Sequence, residues 1–335
     1  MFDEKDFADP IFQGLEISNK ILILEAFKRG VKVEVLDRSE NFLLLQKGNH
    51  IEFVKQATKT RLDSYMTFLV LENKTVTKKV LKDSNIPVPE GKSYVSKQEA
   101  YADFELFQNR EKVVKPVSTN FGVGVSILPK QVSQESFNSY IDFAFSFSPS
   151  IIIEDFLEGP EYRFLVIGGK CIAVCHRIPA NVTGDGQSTI RQLVAKKNED
   201  PRRGIGHTTP LEKIQLEKTE LEVLSENGFS PESIPFKDQV VYLRKNSNIS
   251  TGGDSIDVSD SVHESYKKFA VMATESIGAI FCGVDIILKN PKEPANLQNF
   301  GILECNFNPV LYIHEFPYSG AGVKTGPPVL DALGF

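Results

Sequence analysis

The sequence CGVDIIL at residues 282–288 places one carboxylate, that of Asp285, inside an otherwise apolar strand. A buried acid costs free energy unless a cation or a hydrogen-bond donor compensates it. The next apolar strand, 302–305, carries Glu304, and Asn306 follows on the same face because residues two apart in a strand point to the same side. Carboxylate and amide oxygens are ligands that Mg²⁺ prefers, so Asp285, Glu304 and Asn306 form a candidate metal site. The alternative is that Asp285 caps a strand end and Glu304 forms an ordinary ion pair.

Upstream of these strands, the sequence predicts a lysine that faces a glycine-containing turn. Lys115 lies near the end of a strand at 112–116, and Gly122 and Gly124 lie in the loop before a second strand at 126–128. Glycines let backbone N–H groups approach an anion, which suits the phosphates of a nucleotide. The spacing is not that of a P-loop, and an ordinary hairpin turn is the alternative.

Two arginines interrupt apolar strands between these regions. The guanidinium groups of Arg163 and Arg177 match the geometry of phosphate and carboxylate, so they could clamp either group. On a solvated strand face they would have no special role. The polar loop 246–254 is rich in hydrogen-bond donors and suits an oxyanion, although such loops are usually simple turns. Its residues of interest are Asn248, Gly252 and Gly253.

The rest of the chain alternates between helical and strand periodicity, which predicts an α/β (α+β) fold. Pro87 and Pro89 predict a linker, and the charged stretch 181–238 predicts a surface insertion. Helices are predicted at 17–28, 72–84, 133–145 and 262–277, and further strands at 31–36, 151–154, 161–168, 171–178, 240–244 and 279–288.

Composition excludes several classes of protein. The 335 residues are 41% hydrophobic with a net charge of −6, which predicts a folded core and argues against a nucleic-acid-binding protein. No apolar run approaches the ~18 residues that span a membrane, and the first residues lack signal-peptide character, so a cytoplasmic protein without membrane contact is expected. Four cysteines without a CxxC pair predict packed thiols rather than a zinc site. His314 is expected to be structural.

Taken in order along the chain, these motifs resemble the ATP-grasp superfamily over about residues 72–320. More narrowly, 177–186, 243–258 and 304–309 are similar to the glutathione synthetase half of the bacterial fused γ-glutamylcysteine ligase and glutathione synthetase enzymes. Cyanophycin synthetase is similar over 177–260, but that family carries a further Mur-ligase-like module after its ATP-grasp portion.

The resemblance implies an ATP-grasp fold in which two α+β lobes grip ATP. It implies an N-terminal α/β segment at 1–90, a small lid lobe at 91–157, and a C-terminal lobe at 158–335 with the insertion at about 181–238.

The resemblance also implies an ATP-dependent carboxylate–amine ligase that forms an acyl phosphate, here joining γ-glutamylcysteine to glycine. ATP and two Mg²⁺ ions would be required, with Mn²⁺ as the other suitable cation. Asp285, Glu304 and Asn306 would hold the metal. The nucleotide would contact Lys74, Lys115, Gly122, Gly124, the hinge Glu154, Asp155, Phe156 and Leu157, and Glu161 through its ribose. The transferred phosphate and acyl substrate would contact Arg163, Arg177, Asn248, Gly252 and Gly253.

Two other functions stay open at this point. One is an ATP-grasp ligase that joins a different amine to a γ-glutamyl or aspartyl peptide. The other is a non-catalytic nucleotide-binding protein that acts as a partner or regulator of a separate enzyme. In each case the expected ligands are small molecules, and association into a homo-oligomer is open.

Overall fold

The computed structural model describes residues 2–119 and 123–335 of the chain. The predicted glycine loop is therefore seen only in part, because Gly122 lies outside the described residues. Within the described residues, no helix is both long and apolar enough to cross a membrane.

The first part of the chain is a helix, a three-stranded antiparallel meander and two further helices. The predicted first helix and first strand are confirmed, whereas the second and third strands were not predicted. The helix predicted at 72–84 begins at Lys74, because the Asn73 side chain accepts hydrogen bonds from the N–H groups of Thr75 and Val76. The elements are α1 (Ile17–Lys28), β1 (Lys32–Asp37), β2 (Phe42–Lys47), β3 (His50–Lys55), α2 (Tyr65–Glu72) and α3 (Lys74–Asp83).

The next part forms a four-stranded antiparallel sheet in the order β4-β7-β5-β6, covered by helices. The predicted strands and the helix at 133–145 are confirmed to within a residue or two at each end. The elements are β4 (Gly91–Tyr94), α4 (Lys97–Ala102), β5 (Lys112–Pro116), β6 (Ser126–Leu128), α5 (Gln134–Phe145) and β7 (Ile151–Asp155).

The remaining chain forms a five-stranded antiparallel sheet in the order β14-β9-β8-β15-β16, with an inserted region between β9 and β14. Its elements are β8 (Glu161–Ile167), β9 (Lys170–Ile178), β10 (Asn181–Thr183), α6 (Ile190–Lys197), β11 (Arg203–Gly204), β12 (Leu211–Glu212), α7 (Lys218–Glu226), β13 (Val240–Tyr242), β14 (Asp254–Asp257), α8 (Glu264–Ile277), β15 (Phe281–Leu288), β16 (Phe300–Asn306), α9 (Tyr312–Glu315) and α10 (Gly326–Leu333).

The apolar cores show how these parts join. The four-stranded sheet and its helices have their own cluster, and so does the inserted region. The first 90 residues instead share two clusters with the five-stranded sheet. One cluster includes Leu22 of α1 and Phe281 of β15, and the other includes Leu81 of α3 and Ile302 of β16. Burying these apolar side chains fixes α1 and α3 against the sheet that carries the candidate metal residues.

Candidate functional site

Two cavities meet at the edge of the five-stranded sheet. The larger cavity, of about 790 Å³, lies between the two main sheets and is lined by Lys115, the 154–157 strand end and Asp285. The smaller cavity, of about 450 Å³, lies between the same edge and the first part of the chain. Residues that line both cavities are Lys74, Arg177, Asn248, Leu303 and Glu304.

The candidate metal residues come together through strand register. Asp285 of β15 pairs with Glu304 of β16 on one side and with Arg163 of β8 on the other. Asn306 pairs with Gly283 and donates its side-chain amide to Asp285 Oδ2 at 3.1 Å. The structure therefore brings Asp285, Glu304 and Asn306 together as the sequence predicted.

Asp285 is also the centre of a buried charge cluster. Arg163 holds both carboxylate oxygens, with Nη2 at 2.7 Å from Oδ2, and Arg177 Nη2 lies 3.4 Å from the same oxygen. Burial alone would raise the pKa of Asp285, but the two guanidinium groups hold that pKa below its ordinary value. Gly283 makes room for this arrangement, because an added Cβ would lie 3.0 Å from Arg163 Cδ.

The donor set suits a hard divalent cation in part. Glu304 lines both cavities and Asn306 lines the smaller one, so carboxylate and amide groups face the space where a cation would sit. Asp285 is 1% exposed and already pairs with the guanidinium groups of Arg163 and Arg177. It therefore contributes its negative charge from a buried position. Among the described residues no three His, Cys, Asp or Glu side chains gather as a metal site, so these two carboxylates and one amide are the available donors.

A second buried cluster lies across the larger cavity. Glu154 of β7, only 1% exposed, pairs with Lys115 of β5 at 2.7 Å and with Lys78 of α3. Burial, together with repulsion from Lys115, lowers the pKa of Lys78 to about 8. Two ammonium groups against one carboxylate leave net positive charge at this wall, which suits an anion.

The other predicted nucleotide contacts are distributed around this wall. Asp155 forms an ion pair with Lys112, and Phe156 and Leu157 line the larger cavity beside it. The Lys74 ammonium donates a hydrogen bond to the backbone oxygen of Thr119, at the start of the glycine loop. Gly124, with φ +74°, folds the far side of that loop onto Pro116, since an added Cβ would lie 2.7 Å from Pro116 Cγ.

The polar loop after β13 contributes unevenly to the site. Asn248 lines both cavities, and Ser247 holds Glu161, which Arg177 also contacts. Gly252 and Gly253 line neither of these two cavities, and their N–H groups donate to the oxygens of Ile249 and Asn248 within the loop. The expected role of this glycine pair against an oxyanion has no geometric support, because its donors are already used.

Several residues of the site were not predicted from the sequence. Lys78 follows Lys74 by one helical turn, and this i, i+4 spacing was the available signal. Glu16, Gln56 and Lys59 of the smaller cavity carried no strand or motif signal at all. His314 is 2% exposed with neither ring nitrogen hydrogen-bonded among the described residues, and burial lowers its pKa to about 3. The neutral, enclosed ring agrees with the expected structural role.

Comparisons with known proteins agree with this geometry. Residues 13–66 match the model of an ATP-grasp-like domain. The chain is 50% identical over 332 residues to the glutathione biosynthesis bifunctional protein GshAB of Clostridium perfringens, covering 99% of this chain and 43% of that protein. It is 46% identical to the Pasteurella multocida protein of the same name, covering 98% and 44%. A crystal structure of a bifunctional glutathione synthetase from Pasteurella multocida superposes with a TM-score of 0.77 at 44% identity, covering 98% of this chain and 45% of that chain. The chain thus spans less than half the length of the relatives it matches.

Proposed function

We propose that this chain, which has the ATP-grasp fold and belongs to the ATP-grasp superfamily, is an ATP-dependent ligase that joins γ-glutamylcysteine to glycine. The reaction would form glutathione, ADP and phosphate. The single observation that carries the proposal is the meeting of the two cavities at one charged edge. A positively charged wall at Lys115 faces Asp285 and Glu304 across the larger cavity, and the smaller cavity opens onto Glu304 and Arg177 from the other side.

The larger cavity suits the nucleotide. Lys115 and Lys74 line this cavity, and Lys115 shares one buried carboxylate with Lys78, so the excess positive charge beside the cavity favours phosphate oxygens. The strand end 154–157 offers backbone groups and the side chains of Phe156 and Leu157 to a base. Glu161, held by Arg177 and Ser247, lines the same cavity and fits a ribose hydroxyl as acceptor.

A divalent cation would be held by Glu304 and the Asn306 side-chain oxygen, with Asp285 as the third member of the set. Two Mg²⁺ ions, or Mn²⁺ ions in their place, would neutralise the negative charge of the ATP phosphates. Arg163 fixes the Asp285 carboxylate through two hydrogen bonds, so the charge of the set is already positioned before a cation binds.

The arginine pair addresses the difficult part of amide synthesis. A carboxylate in water does not condense with an amine, so one carboxylate oxygen must first accept the γ-phosphoryl group of ATP, with ADP as the leaving group. The amine then attacks the acyl carbon, and the C–O bond breaks to release phosphate. Arg177 lines both cavities, so its guanidinium group would stabilise the negative charge of the transferring group at the place where they meet. A donor placed at developing negative charge typically contributes about 10²- to 10³-fold in rate.

The test is ATP turnover by the purified full chain with γ-glutamylcysteine and glycine, measured as ADP and phosphate release and by mass spectrometry of the product. ADP release that requires both substrates, with formation of glutathione, is expected. A panel of other amines and of γ-glutamyl and aspartyl dipeptides is run in parallel. Turnover only with another pair would reassign the substrates within the same ligase class, and nucleotide binding without turnover by any pair would favour a regulatory protein.

Oligomeric state is a separate question, and the chain alone provides every residue that the proposal uses. Sedimentation equilibrium at concentrations that bracket those of the assay would show whether activity follows association.

A further inference from the structure

The first part of the chain forms one end of the smaller cavity. Two side chains of opposite charge, Glu16 and Lys59, line this end, and the side-chain amide of Gln56 connects them. Gln56 Nε2 donates to Glu16 Oε1 at 3.1 Å, and Lys59 Nζ donates to Gln56 Oε1 at 2.6 Å. All three side chains line the cavity and are half-buried. Glu16 and Lys59 are not ion-paired with each other, so each charge keeps hydrogen-bonding capacity for a ligand. We call this trio the head-group site.

Gln56 and Lys59 of the head-group site lie in a strained, hydrogen-bonded turn. Lys55 and Lys59 exchange two backbone hydrogen bonds, of 2.9 and 3.0 Å, which closes a tight turn over the intervening residues. Gln56 and Ala57 both have positive φ, +50° and +64°, although neither is glycine. Non-glycine residues in this region cost about 1 kcal/mol or more each, and such strain is concentrated at functional sites. The turn fixes the positions of Gln56 and Lys59 independently of any ligand.

The head-group site is also tied to the candidate catalytic strand. Asn308 donates to Gln56 Oε1 at 3.4 Å, and its side-chain oxygen accepts from Thr58 Oγ1 at 2.9 Å. Asn308 follows Asn306 by two residues, a span of at most about 7 Å between Cα atoms. In γ-glutamylcysteine six bonds, roughly 7 Å when extended, separate the glutamyl Cα from the cysteine carboxyl carbon. Asn308 connects the trio to the segment that follows the metal donors, and the trio and Glu304 line the same cavity.

The surroundings of the trio favour a ligand that carries both charges. Burial lowers the pKa of Lys59, and nearby Lys55 adds to this, so an anion beside the Lys59 ammonium would relieve an existing cost. Tyr312 and His207, hydrogen-bonded to each other at 3.2 Å, form a polar wall between Glu16 and the arginine cluster. Glu72 and Glu304 are the other acids that line the cavity; Glu72 is exposed, and Glu304 belongs to the candidate metal site.

We propose that Glu16 and Lys59, held apart by Gln56, bind the free α-ammonium and α-carboxylate of a γ-linked glutamyl group. Glu16 accepts hydrogen bonds from the ammonium and Lys59 donates to the carboxylate. This inference rests on the proposed function and adds the residues that select its γ-glutamyl substrate. In a γ-linked glutamyl group both charges sit on one carbon atom. In an α-linked dipeptide the α-carboxyl is used in the peptide bond, so the pair of charges that matches the trio does not exist.

The test pairs charge-removing variants with ligands that lack the same charge. Glutaryl-cysteine is γ-glutamylcysteine without the α-amino group, and 4-aminobutanoyl-cysteine is the same molecule without the α-carboxylate. Calorimetry measures the Kd of each ligand for the full chain and for the variants Glu16→Gln and Lys59→Gln. Each variant should weaken γ-glutamylcysteine binding about 10- to 100-fold, the range for a hydrogen bond to a charged group. Glu16→Gln should change glutaryl-cysteine binding less than about twofold, and Lys59→Gln should do the same for 4-aminobutanoyl-cysteine.

Controls separate this pattern from general damage. Glu34→Gln and Lys47→Gln remove exposed charges of the meander outside the cavity and should leave every Kd unchanged. The proposal would be overturned if both variants weakened the binding of all three ligands equally. It would also be overturned if Glu72→Gln, and not Glu16→Gln, weakened only the ligands that carry the α-ammonium. Wild-type turnover with an unchanged γ-glutamylcysteine Kd in both variants would overturn it while leaving the proposed reaction standing. Ligand-specific losses in a protein without turnover would support the head-group site and reject the proposed reaction.

Discussion

The larger cavity is walled mainly by strands, whereas the smaller one takes much of its wall from loops. Lys115, Glu154, Asp285 and Glu304 all lie on strands whose neighbours are fixed by sheet register. In the head-group site, by contrast, Gln56 and Lys59 lie in a tight turn after β3 and Glu16 lies just before α1, while His207 and Asn248 come from other loops. The strand wall holds charges against each other at fixed spacing, which suits chemistry common to many substrates. The loop wall can vary without disturbing the sheets, which suits selection of one substrate.

The largest effect is expected at the centre of the strand wall. Glu304→Gln removes one anionic oxygen donor but keeps shape, so kcat should fall about 10³-fold with little change in the free energy of unfolding. Steady-state ADP release and urea denaturation measure the two quantities. Asp260→Asn, at an exposed position of the same lobe, is the matched control.

Asp285→Asn tests the buried carboxylate of the same wall. It should abolish turnover as well, and it should also destabilise the fold by about 3–5 kcal/mol, because Arg163 loses its buried partner. Near-normal turnover in both Glu304→Gln and Asp285→Asn would remove the metal assignment.

Arg177 lies where the two walls meet, so its removal should separate binding from chemistry. Arg177→Ala should lower the rate of ligation about 10²-fold and weaken ATP binding much less, because Lys115 and Lys74, which line the nucleotide cavity, are unchanged. Rapid-quench kinetics and nucleotide titration measure the two. An equal loss in both would reassign Arg177 to nucleotide binding, and Arg177→Lys, which keeps the charge without the fork, should recover only part of the rate.

Lys78 should make stability depend on pH. Its pKa is about 8, against an ordinary value of 10.5. Between these values the unfolded chain binds a proton that the folded chain lacks, so the free energy of unfolding should rise with pH across this window. Below about pH 8 both states bind the proton and the full cost of burying the ammonium is present. The rise should be roughly 2 kcal/mol.

Urea denaturation from pH 7.5 to 10 measures this rise, and Lys78→Met supplies the comparison because it removes the titrating group. The wild-type curve should climb relative to the variant. Parallel curves for the two proteins would show that the folded protein does not lower the pKa of Lys78, and that the pairing with Glu154 offsets the effect of burial and of Lys115.

The strand wall is also the part that sequence reasoning could predict. An acid inside CGVDIIL and an acid and amide two residues apart on the next strand are visible because strand periodicity fixes which side chains share a face. Their pairing with Arg163 follows once the strands are neighbours. The turn after β3 gives no such pattern, because Gln56 and Ala57 adopt positive φ against the preference of their residue types. The distance of 252 positions between Gln56 and Asn308 is closed only by the tertiary fold.

The smallest effect is expected in the loop wall, where Gln56→Asn should separate function from stability. Asparagine tolerates positive φ better than glutamine, so the change relieves strain in the turn. It also shortens the amide that joins Glu16 to Lys59 and loses three hydrogen bonds, each worth about 1 kcal/mol. The relief of strain offsets part of this loss, so the free energy of unfolding should fall by no more than about 2 kcal/mol, while KM for γ-glutamylcysteine should rise about 3- to 10-fold. A loss of stability with an unchanged KM would mean that Gln56 stabilises the turn and does not position the substrate. The two walls would then differ in structure but not in their roles in substrate selection.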